Sequence, residues 1–312
     1  KRGVSAATIK QVRQAMEKVG YQPPPRERRR GPRLKKEGSV SQLHIAVIFS
    51  NLLRSGQMNY IAHELTAGIA EEAKKENIDV ALVPGDFNIF SIGYDGKYYD
   101  GFIIQGDVPD LLAEQLKDQP CVLLNSRGDI PWSDRVRPDH IYTGRKSFEY
   151  LVEKQCKSLF MVNLRPEHPA CKMRRYGFME AAEEEGIKVE SLDMNISDGD
   201  ISANHLGVQN VAKRIAEEKS TNGVGVFFVQ DTTAARVYMA LHQIGSPPDH
   251  WLTSICGDMD NTVLEGLFPK PVTFDSCARV VGRRSVAQLL WRIQNGTVKD
   301  TMTIMVTPRM II

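Results

Sequence analysis

From residue 43 onward, short apolar runs alternate with longer stretches in which apolar positions return every three or four residues. The runs are LHIAVIF (43–49), VALV (80–83), GFII (101–104), CVLL (121–124), SLFMV (158–162), VGVFFV (224–229) and LTSIC (252–256). Continuous apolarity over so few residues predicts strands buried on both faces. Between them, Ile61, Leu65 and Ile69 fall on one helical face, as do Val208, Val211 and Ile215, and Val286, Leu290 and Ile293. Strand–helix alternation predicts parallel sheets with helices on both faces. The number of strands favours two doubly wound sheets over one. Ligands of such folds bind beyond the carboxyl ends of the strands, where the following loops converge.

The first residues follow another pattern. Ser5 can cap a helix whose apolar stripe is Ile9, Val12, Met16 and Val19; Gly20 stops it, and Pro23-Pro24-Pro25 forbids its continuation. A helix of about four turns with one apolar stripe cannot bury that stripe alone. The chain also begins with Lys1 rather than Met, so the expectation is a truncated form of a longer protein. Residues 22–41, dense in Pro and Arg, read as a linker that is extended near its start.

Charge sharpens this division. The net charge of +2 conceals twelve Lys/Arg against three Glu in residues 1–37, a local +9, and a remainder at −7. A basic arm on a mildly acidic body implies a polyanionic partner, or a solvated tail. With 42% hydrophobic and 25% charged residues, the body has ordinary globular composition. Neither a membrane-spanning apolar stretch nor a secretion signal is visible. The five cysteines, at 121, 156, 171, 256 and 277, are scattered and form no CxxC pair. Disulfides and zinc are disfavoured, and a reducing cytoplasm fits best.

Several segments carry a resemblance. GVSAATIKQVRQAMEKVGYQP (3–23) resembles the third helix of the LacI-type helix-turn-helix headpiece, with Val4, Ser5, Thr8, Val12, Gly20, Tyr21 and Pro23 in matching places. DGFII (100–104) and PCVLLNSR (120–127) resemble two strands of that family. RRYGFMEAAEEEGI (174–187) resembles its Arg-x-x-Gly-Phe helix, and VFFVQDTTAARVYMALHQIG (226–245) its strand and helix around Asn-Asp. SICGDMDN (254–261) followed by PKPVTFD (269–275) resembles its Gly-Phe-Asp and Pro-x-x-Thr-Thr run. Order and spacing together make the signal specific. The resemblance implies a cytoplasmic, homodimeric DNA-binding regulator, a repressor, with a periplasmic-binding-protein-like core sensing a sugar.

The implied fold class is α/β: two doubly wound parallel-sheet lobes behind a remnant of the helix-turn-helix headpiece. The implied organisation is a headpiece helix (1–21), a basic hinge (22–41), an N-terminal lobe (42–163 plus 276–297) and a C-terminal lobe (164–275 plus 298–312). The N-terminal lobe, with its first helix at 58–76, would carry the dimer surface. One departure stands out. The family hinge carries an Ala-Arg-x-Leu run whose leucine wedges into the minor groove, whereas this chain has RERRRGPR without that leucine. Pro25 and Pro32 limit any hinge helix. Arg26, Arg28, Arg29, Arg30 and Arg33 can instead enter a narrow, electronegative minor groove and contact phosphates of the operator.

The resemblance also assigns effector residues. Arg174 takes the place of the family's effector-holding arginine, with Arg175 the alternative if the register slips; a planar fork of donors can bracket sugar hydroxyls or a carboxylate. Asp258 is the candidate effector carboxylate, and Asp260 competes with it. Gln230 stands where the family has a ligand-contacting Asn, and Asp231 reads as the N-cap of the next helix. Phe274 and Asp275 could line the cleft from the crossover side. Asn59 and Tyr60 match an Asn-Pro-aromatic segment at the site, though Tyr60 could equally staple the helix start. Trp132 could close over a ligand or pack at an edge.

Other motifs lead nowhere. Arg127-Gly128-Asp129 and the acceptor triplets at Asn195 and Asn295 lack a secretory context. The seven histidines form no metal-ligand spacing, and neither a P-loop nor a GxGxxG is present. No cofactor, metal or nucleophile–base pair is expected. The leading alternative is a periplasmic-type solute-binding protein for a sugar, against which the arginine-rich arm counts.

Overall fold

The structure is a computed structural model and describes residues 18, 42–49, 60–84, 99–106, 108–117, 119–124, 130–195, 201–219, 223–257, 261–296 and 300–312. The headpiece helix, apart from residue 18, and the hinge with Arg26, Arg28, Arg29, Arg30 and Arg33 lie outside the described residues, as do Asn59 and Asp258.

The described elements run β1 (His44–Phe49), α1 (Tyr60–Lys75), β2 (Asp79–Pro84), β3 (Gly101–Gln105), α2 (Asp110–Gln115), β4 (Cys121–Leu124) and β5 (Asp134–Pro138). They continue with α3 (His140–Glu153), β6 (Ser158–Asn163), α4 (Pro169–Glu184), β7 (Val189–Asp193), α5 (Ile201–Glu217), β8 (Val224–Phe228) and α6 (Asp231–Gln243). The last are β9 (Leu252–Cys256), α7 (Asn261–Leu264), β10 (Thr273–Asp275), α8 (Ala278–Gln294), β11 (Thr303–Val306) and β12 (Arg309–Ile311). No helix among the described residues is long and apolar enough to cross a membrane.

Two parallel sheets form, as the apolar runs predict. One has the order β11-β5-β4-β3-β1-β2 and the other β7-β6-β8-β9; β10 and β12 make a separate antiparallel pair. All seven runs become strands; six are largely buried, while VALV forms the edge strand β2, on which Leu82 is exposed. In the first sheet Val47, Ile103 and Val122 pack under α1 and α8, while Ile48, Ile104 and Leu123 pack with Leu112 of α2. In the second, Val162, Val226 and Phe228 meet α5 and α6, and Met161, Phe227 and Ile255 meet α3 and α4. Each such fully buried side chain contributes about 1.5–3 kcal/mol relative to exposure.

The chain passes between the sheets three times. It leaves β5 at Pro138 for α3, leaves β10 through Ser276-Cys277 for α8, and leaves β11 through Thr307-Pro308 for β12. Strand pairing therefore corrects the expected lobe boundaries. β6 pairs β7 and β8, so it belongs to the second sheet rather than the first; β11 pairs β5, so it belongs to the first. The sheets divide the chain into 44–138 plus 278–306 and 140–275 plus 309–311.

Two helix pairs cross at glycine. A Cβ on Gly68 of α1 would sit 2.0 Å from the Arg279 carbonyl oxygen of α8, and one on Gly282 of α8 would sit 2.3 Å from that of Leu65. In the second lobe Gly144 of α3 and Gly177 of α4 meet the Arg174 and Ile141 carbonyls in the same way, at 2.0 and 2.1 Å. Only a residue without Cβ allows backbones to approach so closely. The second crossing fixes where α4 lies, and with it Arg174.

Candidate functional site

Both sheets have a switch point where the strand order reverses: between β1 and β3 in the first, between β6 and β8 in the second. Ligands of open α/β sheets bind beyond the carboxyl ends at such points. The second switch point ends in Asn163 on β6 and in Val229-Gln230 after β8. The first sheet approaches it through the carboxyl end of β5, where Arg137-Pro138-Asp139-His140 carries the chain across.

Arg174 is set by α4. Pro169 occupies the start of that helix, where its missing N–H costs nothing. Counting on from there puts Arg174 on the same stripe as Cys171 and Phe178, and it is 2% exposed. The ordinary reading of a helix arginine, a solvated surface charge, does not apply. Its Nη1 donates to the Val229 carbonyl at 2.7 Å. Gly257, after β9, makes room for the guanidinium: a Cβ there would lie 3.0 Å from Arg174 Cδ and Nη1. Arg175 points elsewhere and donates to Asp193 at 3.3 Å. Arg174 is thus the buried one of the two arginines, and Arg175 lies at the surface.

Around this arginine, buried polar atoms lack partners within the protein. Asn163, fully buried, accepts from the Arg165 N–H at 3.0 Å through Oδ1, while its Nδ2 bonds nothing. His140 Nδ1, Arg137 Nε and Gln230 Oε1 are likewise buried without a hydrogen bond. Such groups are costly to leave unsatisfied, so their position at the strand ends makes this the candidate place for a polar ligand. Burial holds the His140 imidazole well below its ordinary pKa, helped by the positive charges of Arg174, Arg137 and His168. His140 lies three residues beyond Arg137 and opens α3, whose Gly144 meets the Arg174 carbonyl, so the end of β5 and the start of α3 lie on the side of Arg174. Arg137 itself is lowered by partial burial and by Arg135, with Asp139 opposing.

Other sequence-predicted residues fall differently. Gln230, not Asp231, holds the cap position of α6, and it makes no side-chain cap bond. Asp231 is buried one residue on and accepts from Thr273 Oγ1 at 3.2 Å. Phe274 was expected at the cleft; it is 1% exposed and closed into the core with Phe148 and Phe178. Asp275 is engaged within the chain: Oδ1 accepts from the Cys277 N–H at 2.7 Å and Oδ2 from Arg309 at 2.7 Å, joining two of the crossovers. Tyr60, half-buried, is the first residue of α1. Trp132, also half-buried, packs at the edge of the Phe102–Ile104 cluster.

Sequence reasoning missed Arg137, His140, Asn163 and Gly257. Only Asn163 left a signal, as a polar residue closing the apolar run SLFMV. Among the described residues, no group of three or more His, Cys, Asp or Glu is arranged to hold a metal ion.

The family model described as "Periplasmic binding proteins and sugar binding domain of LacI family" matches residues 52–307, most of the chain. The chain belongs to this family. Its LacI-type architecture extends to solved structures. One is a transcriptional regulator CelR–cellobiose complex, 17% identical at a TM-score of 0.67, the match covering 100% of this chain and 91% of that one. A LacI family transcriptional regulator from Enterococcus faecium with bound ribose is 22% identical at 0.65, covering 86% and 97%. A periplasmic binding ribose operon repressor protein from Lactobacillus acidophilus is 15% identical at 0.63, covering 86% and 96%. At these identities the likeness to this LacI-family chain is one of fold. A search of curated proteins gives no match.

Proposed function

We propose that this chain is a ligand-responsive, DNA-binding transcriptional regulator of the LacI type, a cytoplasmic sensor and repressor rather than an enzyme. Its two lobes, built on the two sheets, close on a small polyhydroxylated metabolite. Closure shifts the population between two lobe arrangements and changes the spacing of the basic arms in a homodimer. A coupling of about 1–3 kcal/mol suffices for a useful change in operator affinity. The observation that carries the effector role is the set of buried, unsatisfied polar atoms around Arg174 at the strand ends. Arg26, Arg28, Arg29, Arg30 and Arg33 provide the contacts to the operator backbone. That arginine-rich arm separates this reading from a solute-binding one.

Calorimetry against a sugar panel, followed by Arg174→Ala, tests the effector role. The variant is expected to keep its circular dichroism and lose heat of binding; unchanged affinity removes Arg174 from the site. The arm is tested by titrating duplex DNA at several salt concentrations. Affinity is expected to fall steeply, with a slope near −0.9 per phosphate neutralised. Salt-independent binding, or none at low salt, refutes the arm's role.

A further inference from the structure

The chemistry of the unsatisfied atoms narrows the effector class. Asn163 Nδ2 is a donor, because its Oδ1 already accepts from the Arg165 N–H. Arg137 Nε is a donor in every state of the side chain. His140 Nδ1 adds a third position able to donate. Gln230 Oε1 is the acceptor among them. The helices α3 and α6 begin here, at His140 and Asp231, and present their positive ends.

A neutral sugar can meet donors and acceptors alike, since each hydroxyl donates once and accepts twice, but it brings no counter-charge to a guanidinium. Each described carboxylate at the crossovers has a partner within the chain: Asp139 accepts from the Tyr142 N–H, Asp231 from Thr273, and Asp275 from Cys277 and Arg309. Among the described residues, the four partnerless atoms named above are three able to donate and one acceptor, and one of the donors belongs to the charged guanidinium of Arg137.

We infer that the effector carries an anionic group, a carboxylate or a phosphate ester, seated against Arg137, His140 and Asn163, with a hydroxyl-bearing portion toward Gln230. This rests on the effector reading above and deepens it. A guanidinium whose Nε is buried without an acceptor gains most from an anion, because charge-assisted, bidentate pairing repays its desolvation. Arg137 occupies the end of a first-sheet strand and Asn163 the end of a second-sheet strand. One anion touching both would therefore favour the closed arrangement of the lobes.

The test uses the full chain at constant ionic strength. Isothermal titration calorimetry compares D-ribose, D-ribonate and D-ribose 5-phosphate, with a matching hexose set and inorganic phosphate alone. At least one anionic form is expected to bind about tenfold or more tightly than its neutral parent, the order of one charge-assisted pair. The acid and ester arms tell carboxylate from phosphate recognition. Arg137→Gln is expected to erase the preference, and Arg175→Gln, on the solvent side, to keep it. The wild-type comparison decides the matter even where Arg137→Gln fails to fold. A neutral sugar binding as tightly as both of its anionic forms overturns the inference and leaves the effector reading standing. No heat from any sugar, acid or ester overturns that reading and the inference together.

Discussion

Replacing Asp134 with alanine would remove the acceptor around which one end of the first sheet is closed. The carboxylate is fully buried in β5 and receives Arg292 Nε at 3.0 Å, Gln288 Nε2 at 2.7 Å, the Met302 N–H at 2.9 Å, and Arg292 Nη2. Arg292, with a side chain only 9% exposed, also donates from Nη2 to the Asp300 carbonyl at 2.8 Å. Breaking a buried pair from one side costs about 3–5 kcal/mol, because the remaining charge stays desolvated. Orphaning Gln288 and the Met302 N–H adds to that, about 1–3 kcal/mol for each group that water cannot reach. A loss of about 4 kcal/mol from the pair alone corresponds to a fall in Tm of roughly 10 °C for a domain of this size, and orphaned groups deepen it. Urea denaturation and differential scanning calorimetry read it directly. Arg292→Met alone should cost a similar amount, and the double variant Asp134→Ala/Arg292→Met less than the two losses added, since no uncompensated charge remains. A loss below about 1 kcal/mol for Asp134→Ala, or strict additivity in the double variant, refutes the account of this network.

The helix crossings and the buried histidine make further predictions. Gly68→Ala forces α1 and α8 apart and should cost about 1–3 kcal/mol in chemical denaturation, whereas Gly266→Ala, where nothing lies within 4 Å, should be neutral; equal effects would sink the close-packing argument. The folded protein keeps His140 neutral well below the ordinary imidazole value of 6.5, while the unfolded chain takes up a proton there. Stability should therefore fall as pH drops below 6.5, and His140→Gln should flatten that part of the curve. An unchanged slope in the variant assigns the pH dependence to other groups.

Much of the fold was legible because most strands of the two parallel sheets are apolar runs, the edge strands β2 and β9 included. Every run of that kind, from LHIAVIF to LTSIC, became a strand within a residue or two of its expected ends. The strands that went unread sit elsewhere. β7 and β11 are edge strands whose side chains are largely half-exposed or exposed, and β5 (DRVRP) alternates buried and half-buried positions around the Asp134 network. VESLD of β7 and DRVRP of β5 carry no apolar run, whereas TIMV of β11 carries a short one that was passed over. Missing β5 also meant missing Arg137 and His140, which follow from where it ends.

Arg174 shows the same boundary within a single residue. Family pattern named it, and helical spacing permitted it to face inward. Burial was decided by Gly257 and the Val229 carbonyl, which lie far along the chain and meet it only when the second sheet is assembled. Phe274 and Asp275 went the other way: plausible cleft residues by position, they were claimed by the core and by Arg309. What the chain alone determines is local: which segments bury both faces, where helices start, and where positive charge accumulates. Which polar atoms remain without partners, and which strand ends face one another, depends on contacts between distant segments. Those contacts exist only once each lobe is packed.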